Sequence, residues 1–359
     1  MKISIITLHA VKNYGSALQA YATQKIFEDL NLEVEIVDYR RKMPKMHSIK
    51  QKIKRFLIKP SSKAAKKVFD RFVNAHLKMT DKVYTTDQDF ELNPIDADIF
   101  CTGSDQVWNS YWHNGIAYPF FLSFVPDGKK KISFSASIGK EQLDEDEKEE
   151  TKRLLNRYSA ISVRESSAVD IIKGLGLENV CQVLDPTLTV EPKVWYDLAD
   201  TKQRKKKYVL VYQLCNNSTF ERYAKKFAKA KGLQLIRLCT RYDQMRKPGH
   251  AVVLPEIVTF LSLFRDAEYI LTDSFHATSF SLIFHKKFGC FYPNAFSTRI
   301  KSILKLTGLE SRLVESQDLT LLDEEIDYEK VDSILNESRA QTMQFLTNAV
   351  CVDNNDENN

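Results

Sequence analysis

Little in this 359-residue sequence suits it to redox or metal chemistry. Six cysteines (Cys101, Cys181, Cys215, Cys239, Cys290, Cys351) are scattered, with no CxxC pair. Most fall in or beside expected buried strands and read as reduced core thiols of a cytoplasmic protein. That excludes a disulfide frame and a zinc site. HExxH, P-loop and EF-hand spacings are absent, so a structural metal is not indicated. No apolar run approaches a membrane-spanning length. The opening MKISIITLHA is a short apolar run with no cleavage site behind it, and it reads as a first strand rather than a signal peptide.

What is present is the composition of a globular protein, 43% hydrophobic and 28% charged, at a length that suits two domains. The net charge of +5 is mild but concentrated. Between Arg40 and Lys67 about a dozen Lys and Arg occur without a single acid, interleaved with Ile49, Ile53, Phe56, Leu57 and Ile58. One reading is a solvated helical face or a mobile excursion. The other is a surface for anionic lipid or a lipid-linked phosphate. No recognition motif supports nucleic acid.

The stretch that organises the rest is YILTDSFHATSFSLIFHKKFGCF, Tyr269 to Phe291. Tyr269 to Thr272 reads as a buried strand, Asp273 and Ser274 as helix caps, Ala277 to Phe284 as a helix and Lys287 to Phe291 as a second strand. His276 then sits in the first helical turn, beyond the carboxyl end of a strand. Open α/β sheets bind ligands there, and free N–H groups with the helix dipole favour an anion. An anionic substrate and an acid catalyst are expected at one spot. The plainer alternative is a histidine that only caps or packs.

Other strand ends carry chemistry too. Asn13, Tyr14, Gly15 and Ser16 form the turn between the first strand and its helix. That turn is not GxGxxG, so it supports no dinucleotide site. It reads as a candidate binding turn or simply a tight one. The strand Asp96–Thr102 runs into GSDQVWNSYW. Asp105 is a candidate base or sugar-hydroxyl ligand there. Trp108, Tyr111 and Trp112 form either a stacking platform for a sugar or the packing of the loop. Arg164, after the strand Ala160–Val163, is a fixed cation or the ion-pair partner of Glu165. Asp185, Pro186 and Thr187 close the strand Val180–Leu184. Strands alternate with helices throughout, which predicts a doubly wound pattern twice over. Composition turns polar and basic between Glu191 and Lys207, the expected boundary. The predicted organisation is an N-terminal Rossmann-like domain over 1–190, with the basic excursion at 40–67, and a C-terminal one over 205–325. A helix over 326–350 is expected to cross back, and 351–359 to be a disordered tail.

Six segments in order resemble the polysaccharide pyruvyl transferase family. They are ITLHAVKNYGSALQAYA, CTGSDQVWN, FSASIGK, ISVRESSAV with VLDPTL, TDSFHATSFSLIFHKKF and STRIKSILKLTGLESR. The resemblance implies two Rossmann-like domains facing a cleft, similar to the B-type glycosyltransferases. It implies transfer of a pyruvyl group from phosphoenolpyruvate to sugar hydroxyls, commonly as a cyclic ketal, in bacterial surface-polysaccharide synthesis, a reaction that needs no metal or organic cofactor. The acceptor is then a saccharide, free or lipid-linked, handled by the first domain, with the donor on the second. Arg164 matches the family's arginine after the SV strand, and His276 matches its histidine. These two, with Asp105 as a base, are the expected catalytic set. Ser274, Arg299 and Lys287 are expected on the donor side, and Asn13, Tyr14, Gly15, Ser16 and Trp108 on the acceptor side. Studied members resemble Arg-x-His at the central motif. Ser274 stands at that arginine's place here, so Arg299, Lys286 or Lys287 is expected to supply the missing cation.

Two rival readings share the pattern. One is a B-type glycosyltransferase with a nucleotide-sugar donor. The other is a non-catalytic sugar-binding or assembly protein held at the membrane by the basic segment. The expected location is the cytoplasm, with the basic segment a means of reaching the inner face of the membrane.

Overall fold

The computed structural model describes residues 1–41, 49–202, 204, 206–293, 297–315 and 317–351, with the backbone alone at 49–58. Its first sheet holds β1 (Lys2–Ile6), β2 (Glu33–Tyr39), β3 (Met79–Tyr84), β4 (Ile99–Thr102) and β5 (Lys130–Ser133). All are parallel, in the order β3-β2-β1-β4-β5. A short pair, β6 (Ile161–Val163) and β7 (Val180–Gln182), continues that edge through bridges from Ile132 to Ala160 and from Ala136 to Val163. The second sheet holds β8 (Tyr208–Tyr212), β9 (Gln234–Cys239), β10 (His250–Val253), β11 (Tyr269–Thr272) and β12 (Lys287–Cys290), also parallel, ordered β10-β9-β8-β11-β12. Both halves therefore have the same Rossmann-like order. Runs such as ISII, YVLVY and YILT are buried along their length, as expected of strands covered by helices on both faces.

That order fixes where a site forms. In each sheet the chain reverses direction of travel between its first and fourth strands, which opens a crevice at their carboxyl ends. Asp105 follows β4 and His276 follows β11. Equivalent corners of the two sheets thus carry the two residues, and the corners meet.

The halves share one apolar core. Tyr14 crosses between them: its ring stacks on Phe260 with centroids 4.3 Å apart, and its hydroxyl donates to Pro255 O at 2.7 Å. The C-terminal helix Tyr328–Val350 begins on the second half, where the Tyr328 hydroxyl donates to Lys286 O at 2.6 Å. It ends on the first, where Leu184 N donates to Thr342 Oγ1 at 3.1 Å and Arg339 Nε to Leu188 O at 3.2 Å.

The sequence pattern missed β3 and β10. Both are edge strands whose residues are largely half-exposed, so neither carries the apolar run that marks an inner strand. From Ile49 the basic segment is a helix, Ile49–His76, that presses Ala65, Val68, Phe69, Phe72 and Val73 into the core. Residues 42–48 of the expected excursion and 352–359 of the expected tail lie outside the described residues.

Candidate active site

Asp105 adopts φ 74°, a left-handed conformation that costs a non-glycine residue roughly 1–3 kcal/mol and persists only where the surroundings impose it. Its carboxylate accepts from Ser16 Oγ at 2.5 Å and from Gln106 N at 2.9 Å. Arg164 Nη2 lies at 3.4 Å and Arg299 Nη1 at 3.9 Å from Oδ1. Burial acts to raise this carboxyl. The charges of Arg164 and Arg299 and the Ser16 hydrogen bond, joined by His276 when it is protonated, outweigh it and hold the group well below the usual carboxylate range. Ser16 reaches Asp105 because Asn13 caps the helix Tyr14–Asp29 and accepts from Gly15 N at 2.8 Å and Ser16 N at 3.4 Å.

Arg164 is buried between carboxylates. Nη1 donates to Asp185 Oδ2 at 2.7 Å, the guanidinium lies 4.5 Å above the Phe275 ring, and Glu165 Oε2 is 4.0 Å from Nε. Burial opposes its charge, and Asp185, Asp105 and Glu165 together restore it. Glu165 itself anchors the neighbouring loop, accepting from Ser137 Oγ, Ile138 N and Gly139 N at 2.8–3.0 Å. Asp185 caps the short helix Pro186–Thr189 through Thr187 N at 2.9 Å and accepts from Ser104 Oγ at 3.0 Å. Burial pushes the Asp185 carboxyl up, but a protonated His276, the Arg164 charge and the Thr187 hydrogen bond draw it down further, and it stays ionised.

His276 completes the cluster from the second sheet. Its Nε2 stands 3.7 Å from Asp185 Oδ2, beyond hydrogen-bond reach, and has no hydrogen-bond partner among the described residues. Burial lowers its pKa. Asp185 and Asp105 act to raise it, and Arg164 and Arg299 act to lower it, so the imidazole is neutral at pH 7. Gly15 permits the approach: a Cβ there would lie 2.1 Å from His276 Nδ1. Arg299, in the first turn of the helix Thr298–Thr307, reaches in with an Nε that has no hydrogen-bond partner among the described residues. Burial, then the like charge of Arg164, pushes it down to about 10. Arg299 is the under-compensated cation of the cluster, whereas Arg164 is already committed to Asp185. A cavity of about 210 Å³ touches Arg164, Asp185 and Phe275 on the side of Ser302 and Gln341.

Several expected residues hold other posts. Trp108 is 3% exposed, stacks on Phe121 and donates its indole N–H to Phe120 O at 3.0 Å, so it packs the loop and offers no platform. Tyr14 is spent on the joint between the halves. Ser274 caps the helix Phe275–Ile283 through Ala277 N at 3.4 Å and brings no charge. Lys287 lies at the amino end of β12, opposite Tyr269 and away from the crevice, and pairs with Glu325 at 2.5 Å. Lys286 is held near Tyr328 on the same side. Of the three cations expected to replace the missing arginine, only Arg299 joins the cluster. Asp185 had no assigned role in the sequence, although an Asp-Pro closing a strand is a readable signal of a cap at a strand end.

The family comparison bears on this cluster directly. The profile described as polysaccharide pyruvyl transferase matches residues 13–294. The chain belongs to that family. Asp105, Arg164, Asp185 and His276 lie inside the matched span of this pyruvyl transferase, and Arg299 lies beyond it. No curated protein matches the sequence significantly. Solved structures agree on the fold at low identity. UDP-N-acetylglucosamine 2-epimerase from Rickettsia bellii superposes with a TM-score of 0.56 at 12% identity, over 97% of this chain and 95% of that one. The same enzyme from Neisseria meningitidis, bound to UDP-GlcNAc, gives 0.56 at 8% identity over 97% and 99%. Arabidopsis thaliana UGT89C1, complexed with quercetin, gives 0.52 at 12% over 98% and 99%. The architecture is that of the B-type glycosyltransferases and these epimerases, two Rossmann-like domains facing a cleft.

Proposed function

We propose that this pyruvyl transferase moves the pyruvyl group of phosphoenolpyruvate onto hydroxyls of a saccharide. The observation that carries the reading is His276 Nε2, beside Asp185 and without a hydrogen bond among the described residues, within the electrostatic reach of Asp105 and Arg299 at the meeting of the two switch points. Arg299 has the free guanidinium edge that the donor's phosphate or carboxylate needs, and it stands in for the arginine absent at Ser274. Arg164 keeps Asp185 and Asp105 ionised and holds Phe275 beneath it.

The order of events follows from the charges. In the free protein His276 is neutral. A bound trianion adds negative charge beside the imidazole, raises its proton affinity and loads it as an acid. His276 Nε2 then gives its proton to the methylene carbon, which becomes a methyl group. Positive character develops at the adjacent carbon, where Asp105 and Asp185 stabilise it. A sugar hydroxyl adds there, and its proton passes to His276 or Asp105. The carbon–oxygen bond to phosphate breaks, and inorganic phosphate leaves. A second hydroxyl adds to the same carbon, loses its proton and closes the ketal. Atoms balance as one phosphoenolpyruvate and one diol giving one ketal and one phosphate.

The first half is assigned to the acceptor and the second to the donor. The basic stretch 40–67, with Lys59, Lys63, Lys66 and Lys67 on its described part, is assigned to an anionic membrane surface or a lipid-linked acceptor. Calorimetry tests the donor. Phosphoenolpyruvate is expected to bind saturably and to bind at least tenfold more weakly to Arg299→Ala. Nucleoside diphosphates binding in its place, with no phosphoenolpyruvate affinity, overturn the reading in favour of a glycosyltransferase.

A further inference from the structure

Three helices that open onto the reaction cluster are capped by the chain's own side chains. Asn13 caps Tyr14–Asp29, Asp185 caps Pro186–Thr189 and Ser274 caps Phe275–Ile283. The helix Thr298–Thr307 is different. Ser297, which precedes it, has helical φ and ψ of −75° and −14° and makes no side-chain cap. The first N–H groups of a helix have no acceptor within it, and the helix dipole adds partial positive charge there. This start is fixed against the first half. Ser302, one turn along, accepts from Gln182 Nε2 at 2.9 Å and from Ser166 N at 3.5 Å.

Two side chains of the same turn bring further donors. Thr298 is 8% exposed, and its Oγ1 is buried without a hydrogen bond among the described residues. The same holds for Arg299 Nε. Side chains lean toward the amino end of a helix, which carries both groups toward its unpaired N–H groups. Asp105 approaches Arg299 at Nη1, not at Nε, and at 3.9 Å it stands beyond hydrogen-bond distance. Burial and the like charge of Arg164 both act against this cation, and an anion at its Nε edge would offset them. A buried hydroxyl left without a bond costs about 1–3 kcal/mol. Packing alone gives no return for that cost, since valine fills the same space without it.

We infer that the amino end of the helix Thr298–Thr307 is an oxyanion site for a phosphate group, with Thr298 Oγ1, Arg299 Nε and the first N–H groups as its donors. Which phosphate it holds rests on the pyruvyl transferase reading: it is that of phosphoenolpyruvate, and Thr298 joins the donor-binding residues. A phosphate monoester presents three free oxygens, one for each kind of donor, whereas a carboxylate presents two. The neighbouring charges agree with this placement. Asp185, Asp105 and Glu165 crowd the Arg164 guanidinium at 2.7, 3.4 and 4.0 Å. Among the carboxylates of the described residues, Arg299 has Asp105 alone within 4.0 Å. The more highly charged end of the donor therefore belongs at Arg299, on the positive end of a helix.

Thr298→Val removes the hydroxyl and keeps the shape, and Thr298→Ser keeps the hydroxyl. Calorimetry in phosphate-free buffer measures inorganic phosphate and phosphoenolpyruvate separately on the wild type and on both variants. Inorganic phosphate is expected to bind saturably and to compete with phosphoenolpyruvate. Thr298→Val is expected to weaken both ligands by a similar factor, at least about fivefold, with a melting temperature close to that of the wild type. Thr298→Ser is expected to stay within about twofold of the wild type for both, a rescue that a purely structural role of the threonine would not give. Absence of phosphate binding overturns the site, and so does Thr298→Val that leaves both affinities unchanged. Phosphoenolpyruvate weakened with inorganic phosphate unaffected overturns it too, because this place then takes the carboxylate. Inorganic phosphate that binds and depends on Thr298, with no affinity for phosphoenolpyruvate, sinks the donor reading and keeps the oxyanion site. Phosphoenolpyruvate that binds independently of Thr298 sinks the site and keeps the donor reading.

Discussion

Gly15→Ala probes the meeting of the two switch points with a single methyl group. The added Cβ would lie 2.1 Å from His276 Nδ1, 2.3 Å from Cγ and 2.7 Å from Cβ. Reaching an ordinary contact of about 3.4 Å from Nδ1 requires a separation of roughly 1.3 Å, the difference between 3.4 and 2.1. His276 is only 5% exposed, and its whole helix, Phe275–Ile283, is buried, so the ring has no free direction in which to yield. Overpacking of this kind costs about 1–3 kcal/mol. Position 15 lies in the first turn of a helix, and replacing glycine by alanine returns up to about 1 kcal/mol of propensity. The net loss of stability is therefore about 0–3 kcal/mol. Function responds more sharply. A displacement near 1 Å at a reacting group lowers rates by about a hundredfold. Losing a charge-assisted hydrogen bond from His276 to the donor weakens binding by about 1.5–3 kcal/mol, or roughly 10- to 150-fold. The expected result is phosphoenolpyruvate affinity down at least tenfold in calorimetry, beside a melting temperature within a few degrees of wild type. Unchanged affinity with an unchanged melt would refute the proposed contact between Gly15 and a working His276.

Removing Arg164 as Arg164→Ala leaves Asp185 and Asp105 buried without their main cation, so a loss of about 3–5 kcal/mol is expected in urea unfolding. Trp108→Ala is expected to cost about 3–5 kcal/mol in the same assay, as a core residue does, while Lys287→Ala, at an exposed pair, costs under about 1 kcal/mol and spares donor affinity. His276 has a lowered folded pKa, so the unfolded chain binds its proton first as pH falls through about 6.5. Its neutral burial is tolerated fully above that pH and counts increasingly against the fold below it. His276→Gln is expected to flatten the loss of stability between about pH 6.5 and 5, and an unchanged slope in pH-dependent melts would show that other groups carry it.

The amino-acid sequence by itself determined the alternation of strands and helices, because inner parallel strands are buried on both faces and leave continuous apolar runs such as ISII and YILT. It also placed Asp105, Arg164 and His276 at strand ends, where caps and turn residues mark the carboxyl edge of a sheet. Edge strands β3 and β10 escaped notice because partial exposure removes that run. Side-chain partners were beyond local reading. Asp185 joins Arg164 from 21 residues away, and Arg299 reaches Asp105 across the gap between two sheets. Trp108 and Trp112 are equally aromatic in the sequence, yet one is packed on Phe121 and the other faces outward. Lys287 and Arg299 are equally cationic, yet the direction of β12 carries one away from the crevice, while the helix that follows carries the other into it. Sequence spacing sets which end of an element a residue occupies. Only the packing of one sheet corner against the other decides which charges meet, which are buried, and which nitrogen atoms are left without a hydrogen bond among the described residues.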